Sequence, residues 1–317
     1  MNSPGMKAPP AREATCRPSL PTEDNRGVVF PFLLLLVVAC LAVAHPVFAE
    51  PQRIISLAPS VTETLFALGV GDRVVGVSVY CDYPPEATKI DRVGNFLTPN
   101  VEAIVAKKPD LIIAVPSPGN QNPVETLRRL GFEVLLVDPN TIAQIETSIV
   151  TIAAAIGRDA AGAALVASIE QRLTALRDRL ATAPQRKVLM VVGQTPLIAV
   201  GAGTFQDEFI RMAHGVNLGA EAGGSWPHVS IELVIAAAPE VIIDTTMGNE
   251  ERTGSGASLE FWSAFPTLPA VQRRRVYGYK QYHLLRPGPR LPEAFEAIAR
   301  FVQPEFFESA DGRSLEK

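Results

Sequence analysis

Short apolar runs without polar alternation take turns with longer segments in which apolar residues return every three to four positions. The runs at residues 53–57, 74–78, 134–137 and 187–192 read as strands, and those at 111–115 and 241–243 as strands covered on both faces, because a half-exposed strand would alternate with polar residues. Between them, Ser60-Val-Thr-Glu63 fits a capping box opening a helix that reaches Leu68 and stops at Gly69. Further helices are predicted over 101–106, over 123–130 ending at Gly131, and over 142–156 ending at Gly157. Residues 160–183 are rich in Ala, Leu, Arg and Glu, with Leu165, Ile169, Leu173, Leu176 and Leu180 at helical spacing, which predicts one long helix. Strand–helix alternation of this kind builds mostly parallel sheets with helices on both faces, an α/β fold. Residues 248–258 read as a polar, Gly-rich loop, and residues 308–317 as a flexible tail.

One segment occurs twice. Asn100-Val-Glu-Ala-Ile-Val-Ala-Lys-Lys-Pro-Asp-Leu-Ile-Ile113 returns 130 residues later as Ser230-Ile-Glu-Leu-Val-Ile-Ala-Ala-Ala-Pro-Glu-Val-Ile-Ile243. Glu102/Glu232, Ala106/Ala236, Pro109/Pro239, Ile112/Ile242 and Ile113/Ile243 are identical. Each copy reads as a short helix capped by Asn100 or Ser230, broken before proline, and followed by a buried strand. A duplicated unit predicts two Rossmann-like lobes, at residues 51–157 and 185–307, joined by the long helix within 158–184. Taken singly, Glu102 and Glu232 read as carboxylates stabilising a helix N-terminus. Their recurrence at one place in both lobes also suits a matched pair of surface charges.

The N-terminal end changes the picture of where this chain works. Residues 27–44 carry no charged side chain, follow Lys7, Arg12, Arg17 and Arg26, and lead to Val47-Phe48-Ala49. This is the pattern of a signal peptide over residues 1–49, cleaved after Ala49, and it predicts export to the periplasm. Two alternatives stay open: lipid attachment at Cys40, within Val37-Val38-Ala39-Cys40, and retention of the apolar stretch as an anchor. Removing residues 1–49 leaves 25 basic against 30 acidic side chains, a net charge of −5, which argues against a nucleic-acid partner. Only Cys81 then remains, so no internal disulfide forms, and no CxxC metal pattern exists.

Several chemistries are disfavoured. Gly201-Ala-Gly203 lacks the third glycine of a dinucleotide fingerprint, and no GxSxG nucleophile elbow is present. His214, His228 and His283 match no zinc spacing. The aromatic loops are more informative, since ligands of open α/β sheets bind at loops beyond the strand ends. Tyr80-Cys-Asp-Tyr83, Gly94-Asn-Phe96, Gly224-Ser-Trp226-Pro-His228 and Gln281-Tyr-His283-Leu-Leu-Arg286 offer aromatic area with polar edges, suited to a bulky flat ligand. Tyr83 and Phe96 read equally well as core.

Arg53-Ile-Ile-Ser-Leu-Ala-Pro-Ser-Val-Thr-Glu63, Tyr80-Cys-Asp-Tyr-Pro-Pro85, Val101-Glu-Ala-Ile-Val-Ala-Lys-Lys-Pro-Asp110 and Trp226-Pro-His-Val-Ser230 resemble the periplasmic cobalamin binders of bacterial ABC importers. Gly201-Ala-Gly-Thr-Phe205 and Arg286-Pro-Gly-Pro-Arg290 resemble the wider cobalamin, haem and iron-siderophore binding family. The resemblance spans about residues 51–305. It implies a non-enzymatic, monomeric solute-binding protein with no resident cofactor, carrying cobalamin or a related corrinoid, or alternatively haem or a ferric siderophore. It implies that Glu102 and Glu232 dock onto the two permease subunits. Tyr80, Phe96, Trp226 and Arg286 match ligand-facing positions, while Tyr282 and His283 align only approximately. Phe96 and Val115 stand where the cobalamin binders carry tryptophan. Tyr and His are also the residues a haem binder uses on iron. A secreted α/β enzyme is the reading from a different class.

Overall fold

A computed structural model describes residues 50–246, 255–279 and 281–307. The predicted signal peptide, the tail at 308–317 and much of the 248–258 loop lie outside the described residues. From residue 50 onward the chain forms one compact unit.

Two sheets follow one another along the chain. The first contains β1 (Ile54–Ser56), β2 (Val74–Val77), β3 (Leu111–Ala114) and β4 (Val134–Leu136), in the order β2-β1-β3-β4, with every pairing parallel. Around it run α1 (Pro59–Ala67), α2 (Val101–Ala106), α3 (Gln121–Arg129) and α4 (Ile142–Ala155). The 21-residue α5 (Asp159–Arg179) leads to the second lobe. There β5 (Arg186–Gln194), β6 (Leu197–Ala199), β7 (Gly215–Asn217), β8 (Val241–Asp244) and β9 (Val276–Gly278) form the second sheet. Its parallel part runs β7-β5-β8-β9, the same topology as the first sheet, with β6 added as an antiparallel hairpin on β5. The remaining helices are α6 (Phe205–Met212), α7 (Ile231–Ala237), α8 (Ser255–Ser263), α9 (Pro269–Gln272) and α10 (Leu291–Val302).

The apolar runs become strands whose successive residues feed opposite faces; both faces are covered along β1, β3 and β8, while β4 at the sheet edge is half-buried. Ile54, Leu111 and Ile113 pack with Val61, Leu65 and Ile152, whereas Ile55, Ile112 and Ala114 pack with Ile104, Val124 and Leu127. In the second sheet Met190 and Ile243 meet Phe209 and Phe295, and Leu189 and Ile242 meet Val234 and Trp262.

The repeat is also a repeat of backbone geometry. The residues before the two prolines, Lys108 and Ala238, both take positive φ, 47° and 53°. Asp110 Oδ2 accepts the Arg53 N–H at 2.9 Å, and Glu240 Oε2 accepts the Lys187 N–H at 3.1 Å. Arg53 Nε and Lys187 Nζ reach back to the carbonyls of Lys107 and Ala237, at 2.9 and 3.2 Å. Each lobe thus ties the start of its central strand to the end of its repeated helix by the same contacts.

Four details differ from the sequence expectations. Ser60-Val-Thr-Glu63 is no capping box: α1 starts after Ala58, with Pro59 in its first turn and no side-chain cap. Proline tolerates that place because its missing N–H has no partner in the first turn. The helix expected at 123–130 begins two residues earlier, and the long helix is shorter than the expected 160–183. Finally, α4 belongs to both lobes. Its Ile145 and Ile149 lie in the second-lobe core, and its Ile152 and Ala153 in the first.

Candidate functional site

Side chains that should be inside are half-exposed at the carboxyl ends of both sheets: Tyr80, Tyr83, Phe96, Trp226 and Tyr282 are 53, 44, 37, 48 and 46% exposed. Tyr80 and Tyr83 follow β2, and Phe96 precedes α2. The Tyr80 and Phe96 rings meet edge-on with centroids 5.9 Å apart, a favourable aromatic geometry. The reading of Tyr83 and Phe96 as core therefore gives way to exposed positions.

Their loop is held from beneath. Asn95 Oδ1 accepts the Leu97 and Thr98 N–H groups at 2.9 and 2.7 Å, closing a tight turn around Phe96. Buried Asn120 donates Nδ2 to the carbonyls of Phe96 and Val115, at 3.0 and 2.8 Å, tying this turn to the end of β3. Gly94 sits at φ +97°, and a Cβ there would lie 2.6 Å from the Asn100 backbone nitrogen. Glycine at that point lets the turn run directly into α2 and its Glu102.

In the second lobe the Trp226 loop lies along β6. Ala199 N–H donates to the Pro227 carbonyl, Val229 N–H to Leu197, and Gly201 N–H to Ser225, at 3.0, 3.0 and 2.8 Å. A Cβ on Gly201 would stand 2.0 Å from the Gly224 carbonyl oxygen. The GxG at 201–203 therefore serves close backbone approach rather than a nucleotide. Gly201→Ala should lower unfolding stability by about 2 kcal/mol, since the obstructing atom is backbone and cannot swing away. Urea midpoints check this, and an unchanged midpoint would refute it.

The two lobes meet through charge as well as ring. Glu63, on α1, is 3% exposed. Its carboxylate accepts Arg290 Nε at 2.8 Å and Nη2 at 2.6 Å, and Arg286 Nη1 at 3.3 Å. Arg286 also pairs with Asp82, with Nη2 to Oδ2 at 3.0 Å, and donates to the Tyr80 carbonyl at 3.1 Å. The Arg290 guanidinium lies 4.0 Å over the Tyr83 ring and that of Arg286 5.1 Å over Tyr282, both cation–π distances. Burial would raise the Asp82 carboxyl, but the Arg286 hydrogen bond and charge outweigh it and hold it below its usual range. Burial opposes the charge on Arg286 too, and Asp82 and Glu63 keep it protonated. Pro287, from the same loop, lines a small pocket with Ser60, Val61 and Thr64 of α1 and with Ile145 and Ile149 of α4.

Of the residues singled out in the sequence, Tyr80, Phe96, Tyr282 and Arg286 are thus brought into one chain of contacts with Tyr83. Trp226 stands at the matching edge of the second sheet, and no hydrogen bond or ring–ring pair joins it to that chain among the described residues. His283 is 7% exposed, and its Nε2 lies 3.1 Å from the Tyr279 hydroxyl. Sequence pattern does not mark Glu63, Asp82 or Arg290 as site residues. Arg290 lies within Arg-Pro-Gly-Pro-Arg, but its partner is 227 residues away. Among the described residues no cluster of His, Cys, Asp and Glu is placed to hold a metal, and no helix is long and apolar enough to cross a membrane. Cys81 is buried, with burial pushing its thiol up and Thr62 Oγ1 donating to Sγ at 3.1 Å.

Burial, followed by the positive charges of Arg290 and Arg286, lowers the His283 pKa, against the opposing carboxylate of Glu293. The unfolded chain then takes up this proton first, so stability should fall as pH drops below about 6.5. Replacing His283 by Gln should flatten that slope in urea titrations between pH 7.5 and 5; an unaltered slope would assign it elsewhere.

Glu102 and Glu232 are exposed at the second residue of α2 and α7. Asn100 Oδ1 accepts the Ala103 N–H at 3.0 Å and Ser230 Oγ the Leu233 N–H at 3.2 Å, so both predicted N-caps form. The Glu232 carboxyl is held below its usual range by its own backbone N–H and the Ser230 hydroxyl. Beside Glu232, Leu233 and Ile235 are 50 and 42% exposed.

Residues 54–283 match the pattern of the family described as periplasmic binding protein. A vitamin B12-binding protein of Vibrio cholerae serotype O1 is 33% identical over 276 residues, covering 86% of this chain and 98% of the relative. A vitamin B12-binding protein of Photorhabdus laumondii is 31% identical over 267 residues, covering 84% and 94%. Among solved structures, the periplasmic vitamin B12 binding protein BtuF of Vibrio cholerae superposes with a TM-score of 0.70 at 33% identity, covering 80% of this chain and 98% of that one. The periplasmic heme-binding protein RhuT of Roseiflexus sp. RS-1, in apo form, gives 0.72 at 29%, covering 80% and 99%. With its two sheets of one topology, its linking helix and this match over most of its length, the chain belongs to the periplasmic binding protein family.

Proposed function

We propose that this chain captures cobalamin or a related corrinoid between its lobes and delivers it to the permease of an ABC importer. The observation that carries the ligand is the set of half-exposed aromatic rings, Tyr80, Phe96, Trp226 and Tyr282, at the facing ends of two like sheets. Such rings present large apolar area at small entropy cost, which matches a broad, flat, partly polar macrocycle. The relatives named as vitamin B12-binding proteins, aligned over most of their length, support the same ligand. No bond is made or broken in this role: the protein is a carrier and no enzyme. Glu102 and Glu232 address the two halves of a two-fold symmetric permease, with Leu233 and Ile235 adding apolar contact beside Glu232. Export follows from the signal peptide, with cleavage after Ala49 or lipid attachment at Cys40, and the protein acts as a monomer.

Haem is the second reading, favoured by the exposed phenols of Tyr80 and Tyr282 and by the likeness to a heme-binding structure. Tyr is a known haem-iron ligand. His283 fits that role less well, being buried with its Nε2 against Tyr279. Titrating protein from residue 50 onward with cyanocobalamin and with haemin, by calorimetry and visible absorbance, separates the two. Saturable one-to-one cobalamin binding without a haem Soret shift is the expected result. A shifted Soret band with no cobalamin heat would transfer the reading to haem, and silence with both would remove it.

A further inference from the structure

The charge cluster at the lobe junction runs from buried Glu63 to half-exposed Asp82 and is connected to the aromatic rings. Two acidic groups, Glu63 and Asp82, balance two basic ones, Arg286 and Arg290. Glu63 and Asp82 come from the first lobe, and both arginines from the loop before α10 in the second. Glu63 has a side chain only 1% exposed and takes Arg290 through two parallel N–H bonds. A planar fork on a carboxylate fixes angle as well as distance, which apolar contact does not. Burying such a group is costly unless every partner is in place, so the cluster favours one arrangement of the lobes over near neighbours. The same two arginines hold the aromatic rim: Arg286 grips the Tyr80 carbonyl and covers Tyr282, while Arg290 covers Tyr83.

We infer that Glu63 is a positioning residue for ligand capture. From within the first lobe it orients Arg286 and Arg290, and through them sets Tyr80, Tyr83 and Tyr282 as one preformed rim shared by both lobes. A rim already ordered before binding spares the ligand the cost of ordering it. Asp82, half-exposed beside Arg286, is the outer partner of the same device. The capture role rests on the binding function proposed above; the geometric role does not.

The test uses protein from residue 50 onward with Glu125→Cys and Ala236→Cys, both exposed, one in each lobe, carrying spin labels. Pulsed distance measurements without ligand, and titration with whichever of cyanocobalamin and haemin the parent binds, are made on the parent, Glu63→Gln and Glu63→Asp. Glu63→Gln keeps the shape and removes the charge. It should broaden the interlobe distance distribution and weaken binding roughly tenfold or more, while Glu63→Asp recovers part of both. A loss of stability alone would leave the distribution of the folded fraction narrow. A narrow distribution in Glu63→Gln, or a broad one with affinity within about twofold of the parent, overturns the inference. Should Glu63→Gln not fold, Asp82→Asn carries the same two readouts, with the same outcomes deciding. A parent that binds neither probe overturns the binding function and the capture role with it, whereas an unaltered Glu63→Gln overturns the role of Glu63 alone.

Discussion

Replacing Glu102 and Glu232 together by alanine should abolish ligand import in cells while leaving the affinity of the purified protein unchanged. Both carboxylates are exposed, and neither takes part in the hydrogen-bonded frame of the aromatic loops. The caps of their helices come from Asn100 and Ser230, so folding should suffer little. At an interface the balance differs, because removing one partner of a desolvated, hydrogen-bonded charge pair costs about 2–5 kcal/mol. Two such losses on one docking face would leave no functional complex. Under the proposed docking each single replacement should reduce import partly, since one lobe would still engage. Uptake assays in a strain lacking the native binding protein, paired with calorimetry, check both halves. Full uptake by the double variant would return the two glutamates to the bland role of charges at helix N-termini.

Trp226→Ala should weaken ligand binding by about 2 kcal/mol or more, roughly thirtyfold, with little effect on stability. The indole is 48% exposed in the free protein, so deleting it leaves no cavity in either core. The backbone of its loop stays anchored along β6, with Gly201 N–H donating to Ser225, Ala199 N–H to Pro227 and Val229 N–H to Leu197. A large, rigid ring that is open before binding and covered afterwards is the kind of side chain on which binding energy concentrates. Calorimetric titration beside a urea melt separates affinity from folding. Equal affinity in the variant would place the ligand against the Tyr80–Phe96 side alone, and a large loss of stability would make Trp226 a structural residue.

Much of this was legible because it is local. Unalternating runs such as Leu111–Ala114 and Val241–Asp244 lie in strands buried on both faces. The caps Asn100 and Ser230 lie three residues from the N–H groups they accept. The repeat was readable as sequence, and its meaning as two sheets of one topology followed. Where local reading failed, a distant partner competed. Glu63 stands three residues after Ser60, the spacing of a capping box, yet its carboxylate turns to Arg286 and Arg290. Tyr83 and Phe96 read from sequence equally as core or surface, since an aromatic ring in a Pro- or Gly-flanked loop suits either.

By itself the sequence determined the α/β class, the duplicated lobes, the linking helix and the aromatic loops, because periodicity, capping and turn chemistry act over a few residues. Only the tertiary structure decided that α4 is shared by both cores, that Gly201 makes room for the Trp226 loop, and that Glu63, Asp82, Arg286 and Arg290 form one cluster. Those contacts join residues up to 227 positions apart, and a charge in a sequence carries no mark of which opposite charge the folded chain will bring to it.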